Sequence, residues 1–546
     1  MKFVHMKFPE PVIDITRDKA VQYAIQSGAK WLFFLDSVPS YTPIIVRSLL
    51  TGDISIKPVS EIVQFQGVDK EYATCETYEV FVGEMLGGWS KIHHVLRHPF
   101  SGFLHRINTH SGLVDVSANH SIILSQGGFA GTSRPIMGQD IKEGMKLVSP
   151  RFYHSGRWGR EKRFFFGDQE LAWLYGFFAA EGSVSKEGAT VSLSNTNTRH
   201  LERYAKTFNR YFNRDLAIYE DKHRKPGQQL ALYKVATSGP KLAQFFASKF
   251  YTEDRLKRVP DEILNAPEFI RMAFLQGYND GDGSRDSSWA NAPLFNAFTT
   301  NSQTLAMGLL YLIQNTTGQR FSVQIRDDKP TIVQLFLNQL DSESLRQHDQ
   351  YRDYREVKKI KLIPYIGYLY DIETESHVFA GGVGPILLHN SDVIPPPDVI
   401  PRLMAHDKPI VAGLYVRRWN PPFNEMLRFR TDGMPGLRPI MDGEYVPGSL
   451  VECDAVATGC VLIKTEVFER MKPFEITIDG KPGRPAWFLW TEWRLPVGAS
   501  EDFSFFTRAK QQGIPVYCDT SLRCRHIGAL KLLPSGNNSL QIEFMG

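Results

Sequence analysis

The chain has 546 residues, too many for one hydrophobic core, and its length implies about three or four domains. Hydrophobic residues at 42% and charged residues at 22% are ordinary for globular protein. A formal net charge of +4 excludes a strongly basic body, so any DNA site must be a local patch. The cysteines Cys75, Cys453, Cys460, Cys518 and Cys524 form no CxxC pair, which argues against a disulfide framework or a zinc site and for a reducing compartment. No apolar run follows the basic residues of MKFVHMKFPEPV, and no stretch approaches ~18 apolar residues, so neither a signal peptide nor a membrane segment is expected.

In chain order, TRDKAVQYAIQSGAK (16–30) has helical apolar spacing and a stop at Gly28. WLFFLD (31–36) has the form of a parallel strand in an α/β sheet. From Ser37 to about residue 150 come short β-rich pieces, TPIIVRSL, TYEVFVGEM, SGFLHRINT and GLVDVSANHSIIL, which predict an all-β unit. Residues 168–320 turn helical, and 355–390 return to β in KLIPYIGYLYDIE, HVFAGG and PILLHN. From Ser391 the α/β style resumes in PIVAGLYVRR, VATGCVLIKTEVFERM and DFSFFTRAKQQGIPVYCD. An all-β shell holding a helical insert thus interrupts an α/β domain.

Ser37 lies at the first change of character and His389-Asn390-Ser391 at the last. A hydroxyl at Ser37 can attack the Asp36 carbonyl, Ser391 can take over the acyl group, and the Asn390 amide can close on its own carbonyl. Such weak nucleophiles need proton transfer, which histidine suits, and His120, His377 and His389 are candidates. The blocks SVPSYTPIIV, Ser117-Ala118-Asn119-His120 and YLYDIETESHVFAGGVGPILLHNS resemble those of inteins. The resemblance implies the Hint fold, with Ser37 as first nucleophile, His120 polarising the upstream bond, Asp371 tuning transesterification, and His377 and His389 assisting Asn390 cyclisation before ligation to Ser391. SVPSYT departs from the commoner CxxGDT opening. A Hedgehog-like autoprocessing element, the rival, lacks a terminal Asn and a downstream segment.

Within the helical insert LAWLYGFFAAEGSVS (171–185) and MAFLQGYNDGDGSRD (272–286) repeat one pattern, an apolar helix with small residues ending in acid-Gly. Gly176, Ala179, Ala180, Gly277 and Gly281 permit close helix approach, which sets Glu181 beside Asp282. Paired carboxylates repel unless a cation such as Mg²⁺ lies between them. The segment resembles a two-motif LAGLIDADG homing endonuclease. That implies αββαββα-like halves, Mg²⁺ held by Glu181 and Asp282, Lys257 of KRVP as a catalytic lysine, and double-stranded DNA held with help from Arg199, Arg203, Lys222, Arg224 and Lys225. Glu181 stands where Asp is usual. A DNA-binding regulator, the rival, gains nothing from two buried carboxylates.

Joining 1–36 to 391–546 gives KWLFFLD-SDVIPPP, an apolar strand running into Asp-Ser-Asp. This resembles the DxD motif of GT-A nucleotide-sugar glycosyltransferases. The resemblance implies Mn²⁺ or Mg²⁺ on Asp36, Asp392 and His526, Asp502 (or, as the alternative in SEDF, Glu501) as acceptor base, and a nucleotide-sugar donor with an acceptor as partners. The expected fold is multidomain: an all-β Hint horseshoe split by an α+β LAGLIDADG pseudo-dimer, nested within an α/β GT-A-like nucleotide-diphospho-sugar transferase domain. Its parts are 1–36 and 391–546 (flanking enzyme), 37–165 and 346–390 (splicing), and 166–345 (endonuclease). A cytoplasmic monomer is expected, with splicing itself needing no cofactor. The alternative is a splicing element with a DNA-binding-only endonuclease and a truncated, inactive host, since few residues precede the first aspartate.

Overall fold

The structure, a computed structural model, describes residues 21, 24–25, 28, 30–33, 37–65, 72–83, 86–117, 120–125, 133–138, 141–150, 168–185, 187–221, 231–283, 295–326, 328–338, 353–389, 393–394, 396, 398–416, 424–431, 436–478, 481–488, 501–526, 529–535 and 539–545. The chain divides into two compact units, one of Met1–Ser37 with Ser391–Gly546 and one of Val38–Asn390.

The second unit opens with strands. Ser133–Met137, Ser121–Ser125, Ile386–His389, Val378–Gly381, Pro43–Ser48, Tyr78–Gly83, Gly88–Thr109, Val357–Thr374 and Val38–Pro39 follow one another across a sheet. Short pieces were expected, yet Gly88–Thr109 is one strand of 22 residues paired antiparallel with Val357–Thr374. Pro99 and Gly102, residue types that weaken strand interiors, lie opposite Tyr368 and Tyr365, where pairing continues on both sides. An isolated breaker inside a long ribbon is tolerated when its neighbours stay bonded.

PIIV in Pro43–Ser48 is apolar on both faces because two cores need it. Alternation sends Ile44 and Val46 into the β-shell core with Val80, Val95 and Phe379. Ile45, with Ile54 and Ile56 of the Ile54–Pro58 strand, joins Leu305, Leu309 and Leu312 of the Gln303–Thr317 helix in the other core. Polar groups seal the same seam. The Asn265 side chain donates to the Ile54 carbonyl (2.8 Å) and accepts from the Ile54 N–H (2.8 Å), as a neighbouring strand would. Ser55 donates to the Asp261 carboxylate at 2.8 Å. The central segment and the β-shell are therefore packed through one shared core.

The central segment has two similar halves. The first runs helix Gln169–Glu181, strands Gly182–Val184 and Thr190–Asn195, helix Thr198–Phe212, strands Tyr219–Glu220 and Tyr233–Ser238, and helix Pro240–Phe250. The second has helix Glu268–Asp282, strand Ala297–Thr300, helix Gln303–Thr317 and strands Arg320–Ile325 and Val333–Asn338. Each half is thus mixed α and β.

In the other unit, strands lie in the order Trp31–Phe33, Val461–Lys464, Ile410–Leu414, Val516–Arg523, Leu450–Cys453. Helices Val399–Ala405, Thr465–Arg470 and Glu501–Gln511 accompany them. Trp31–Phe33 was expected to be a parallel strand; it pairs antiparallel with Val461–Lys464 at the sheet edge. Among the described residues only Ile410–Leu414 and Val516–Arg523 run parallel. A short apolar run shows burial on both faces but carries no information about strand direction. Val21, Ala24 and Ile25 are helical, and Gly28 takes a left-handed φ of +67°, as a helix stop requires.

Candidate functional site: paired carboxylates and clustered histidines

The Gln169–Glu181 and Glu268–Asp282 helices touch backbone to backbone. A Cβ on Gly176 would lie 1.9 Å from the Phe274 carbonyl oxygen, and one on Gly277 2.0 Å from that of Trp173. A Cβ on Gly281 would meet that of Ala180 at 2.5 Å. No side chain fits at these crossings. Both helices end on their acid, with Gly182 and Gly283 turning extended as the caps.

The structure brings Glu181, Asp282 and Lys257 into electrostatic contact. Burial and then the Asp282 charge push the Glu181 carboxyl up to about 7, against Lys257 and a hydrogen bond from Asn195. Burial pushes Asp282 up to about 6 although Lys257 opposes it. The Lys257 ammonium donates to the carbonyls of Phe178 (3.3 Å), Ala179 (2.8 Å) and Ala180 (3.0 Å). These are carbonyls of the last turn of the first acid helix, at the negative end of its dipole. Burial pushes Lys257 down to about 8 in spite of both carboxylates.

Two half-desolvated carboxylates that resist joint ionisation suit a hard divalent cation. Among the described residues no set of three His, Cys, Asp or Glu groups gathers to hold a metal. Water and phosphate oxygens would therefore complete the shell of an ion held by Glu181 and Asp282, as Mg²⁺ prefers.

Not every expected DNA contact is available. Arg203 donates to Glu170 at 2.7 Å and 3.1 Å and lies over the Trp173 ring at 4.0 Å, so it ties helices together. Arg199 is exposed; Lys222, Arg224 and Lys225 lie outside the described residues. Asn195, whose amide donates to Glu181 at 2.9 Å, carried no motif in the sequence.

The second cluster lies in the β-shell. Val38, next after the buried Ser37, pairs with Tyr370, next before the buried Asp371. The Asp371 carboxylate accepts from the Ile372 N–H at 2.8 Å. His389 pairs with Val378, the neighbour of His377, and Leu388 pairs with Ile122, two residues beyond His120. Three strand ends thus carry the three histidines to one place. His120 has no exposed surface, and neither ring nitrogen has a hydrogen-bond partner among the described residues. Burial, then the His389 charge, pushes its pKa down to about 3, so it is neutral at physiological pH. His377 takes a left-handed φ of +61°, a strained state for a non-glycine residue. Asp36, Asn390, Ser391 and Asp392 lie outside the described residues. A His94–Glu373 pair beside Asp371 in the ribbon was not read from the sequence.

In the flanking unit Asp502 accepts from the Thr458 hydroxyl at 2.8 Å and the Thr458 N–H at 3.4 Å. The backbone of His526 pairs with Val393, which follows Asp392.

The repeat of glycine crossings and terminal acids points to one kind of domain. Residues 168–250 match the LAGLIDADG-like domain family. The chain is 27% identical over 398 residues to a DNA polymerase of Acanthamoeba polyphaga mimivirus, covering 66% of this chain and 20% of that protein. It is 26% identical over 287 residues to the replication factor C small subunit of Methanocaldococcus jannaschii, covering 45% of this chain and 15% of that protein. The chain thus spans a fifth or less of these two curated relatives. Among solved structures, the homing endonuclease I-DmoI is 14% identical with a TM-score of 0.24, over 31% of this chain and 89% of that one. A transcription factor IIB mini-intein is 13% identical with a TM-score of 0.23, over 65% of this chain and 100% of that one.

Proposed function

We propose that Ser37–Asn390 is a self-splicing intein-like element bearing a LAGLIDADG endonuclease, and that its removal joins 1–36 to 391–546. The observation that carries this is a strand pairing. Trp31–Phe33, upstream of Ser37, pairs with Val461–Lys464, downstream of Ser391, so the flanking pieces already share a sheet. The names of the matched relatives agree: a segment shared with both a polymerase and a replication factor subunit, at a fifth or less of either, behaves as an insert.

In the chemistry, Ser37 Oγ bonds to the Asp36 carbonyl carbon as the C–N bond breaks and the amine takes the proton. Ser391 Oγ then displaces Ser37 Oγ from that carbon. Asn390 Nδ2 attacks its own carbonyl, breaking the bond to Ser391 and closing a succinimide. The freed Ser391 amine finally takes the acyl group from its own oxygen as a peptide bond. A neutral His120, whose two nitrogens have no partner among the described residues, suits hydrogen bonding to a scissile amide, with His377 and His389 at neighbouring strand ends and Asp371 next to Tyr370, which pairs with Val38. Intact-mass measurement on the expressed chain is expected to find the ligated 1–36/391–546 chain and free Ser37–Asn390. Uncleaved chain alone, under conditions where the fold is intact, would defeat the reading.

The insert's second activity is hydrolysis of double-stranded DNA at the uninterrupted coding sequence. Glu181 and Asp282 would hold Mg²⁺, which supplies charge stabilisation and a more acidic bound water. Lys257, pinned to the first helix, offers a cation beside both acids. In the net step a water oxygen bonds to phosphorus, the P–O bond to the departing sugar breaks, and that oxygen takes a proton.

For the joined host we propose a metal-dependent glycosyltransferase, with Asp36, Asp392 and His526 holding Mn²⁺ or Mg²⁺ and Asp502 as base once Thr458 releases it. The register of His526 beside Val393 supports this grouping. The names of relatives favour a polymerase host as the second reading. Calorimetric titration of Mn²⁺ with a nucleotide-sugar into the directly expressed ligated chain is expected to show binding. The same titration into a Ser37→Ala, Asn390→Ala precursor is expected to show little. Binding of deoxynucleoside triphosphate in place of nucleotide-sugar would favour the second reading.

A further inference from the structure

The two halves of the endonuclease build the turn after their central strand in the same way, but only one half extends it to the acid. In the first half Asn195 ends the Thr190–Asn195 strand, and its Oδ1 accepts the Asn197 N–H at 2.8 Å. Asn197 then caps the Thr198–Phe212 helix, accepting the Arg199 N–H at 3.1 Å. In the second half Thr300 ends the Ala297–Thr300 strand, and its hydroxyl accepts the Ser302 N–H at 3.1 Å. Ser302 caps the Gln303–Thr317 helix, accepting the Leu305 N–H at 3.1 Å. Asn195 and Thr300 are therefore structural equivalents.

Their side chains differ in what remains. With Oδ1 committed to the turn, the orientation of the Asn195 amide is settled and its NH₂ points away from Asn197. That group donates to Glu181 Oε1 at 2.9 Å. Asn195 is itself buried, so solvent cannot substitute for the bond. The Thr300 hydroxyl is a single short group that already serves the turn, and among the described residues no side chain is seen to donate to Asp282. The acid with the donor is also the longer one: glutamate, with one more methylene and one more rotatable bond than the aspartate across from it.

We infer that Asn195 is a positioning residue that holds the longer Glu181 carboxylate for its divalent cation, making the two halves of the site unequal. This rests on the endonuclease reading above. A free glutamate at a helix end samples several rotamers; a buried amide that grips one oxygen leaves the other to face the cation and removes that freedom. Asp282, with a shorter tether, needs no such arm. Cation affinity and cleavage therefore both depend on the arm that Asn195 extends to Glu181.

The test replaces Asn195 by threonine, which keeps the turn acceptor as Thr300 does and deletes only the arm. The full chain is assayed on a duplex carrying the uninterrupted insertion sequence, each strand end-labelled in turn. Asn195→Thr is expected to slow cleavage about tenfold or more, since a hydrogen bond to a charged group is worth roughly that factor. Mn²⁺ titration of the protein without DNA is expected to show affinity weakened by a similar factor. Asn195→Thr combined with Glu181→Asp, which copies the Thr300–Asp282 arrangement, is expected to regain both. Asn195→Ser, a second variant that keeps the acceptor, is expected to behave as the threonine variant and guards against a packing defect peculiar to one substitution. Unchanged cleavage, unchanged Mn²⁺ affinity, or no recovery in the double variant would overturn the assignment. If the wild-type chain cuts neither strand, the endonuclease reading fails, and the Mn²⁺ titrations alone then decide the positioning role.

Discussion

Asp282→Asn is expected to reduce DNA cleavage about a thousandfold, since a carboxylate that holds a catalytic cation supports several kcal/mol of transition-state stabilisation. The same substitution is expected to stabilise the metal-free fold at pH 8. The sign follows from the raised carboxyls. Glu181 goes from 4.5 to about 7 and Asp282 from 3.8 to about 6 on folding. The folded state therefore holds protons that the unfolded state has released. Stability from the protonated pair is full below about pH 4 and is lost as pH rises through 6 and 7. Thermal melts of the wild type without metal should thus fall from pH 5 to pH 8, and Asp282→Asn should flatten that slope. Added Mg²⁺ should raise the wild-type melting temperature more at pH 8 than at pH 5, and should not act on Asp282→Asn with Glu181→Gln. Cleavage that survives in that double variant would refute the metal assignment.

Asn390→Ala is expected to eliminate the ligated product entirely while scission at Asp36–Ser37 persists, because the alanine has no amide to close a succinimide. Denaturing gels with intact mass distinguish the products. Ligated chain from this variant would remove Asn390 from the mechanism. His120 adds a pH dependence of its own. Its pKa falls from 6.5 to about 3 on folding, so the unfolded chain takes the proton first. That contribution to stability is complete above about pH 6.5 and is lost as pH falls toward 3. Between pH 6.5 and 8 His120 stays neutral, so a change of splicing rate in that range must come from another group.

Much of the site was legible because it depends on short spacings. Small residues at helical intervals followed by acid-Gly placed Glu181 and Asp282 at helix ends, and the crossings at Gly176 and Gly277 have the close approach those residues permit. The order of Ser37, His120, His377, His389, Asn390 and Ser391 could likewise be read along the chain, although their roles came from resemblance. Arg203 could not be judged that way. Its charge is visible in the sequence, but its pairing with Glu170 and stacking on Trp173 depend on a helix packed from 30 residues earlier. A basic residue is a DNA contact only if no nearer acid claims it.

By itself the sequence determined where the chain changes character, which helices end in acids, and which residue types stand at the two junctions. Each of these is a local pattern, set by periodicity and by side-chain chemistry within a few positions. Only the tertiary structure decided that the central segment shares a core with the β-shell, that Trp31–Phe33 is an antiparallel edge strand, and that Asn195 grips Glu181. It also decided that His120 is neutral and Lys257 is pinned. The reason is common to all five. Burial, strand direction and hydrogen-bond partnership are properties of pairs brought together by folding, often from far apart in sequence, and a pKa follows the neighbours that burial supplies.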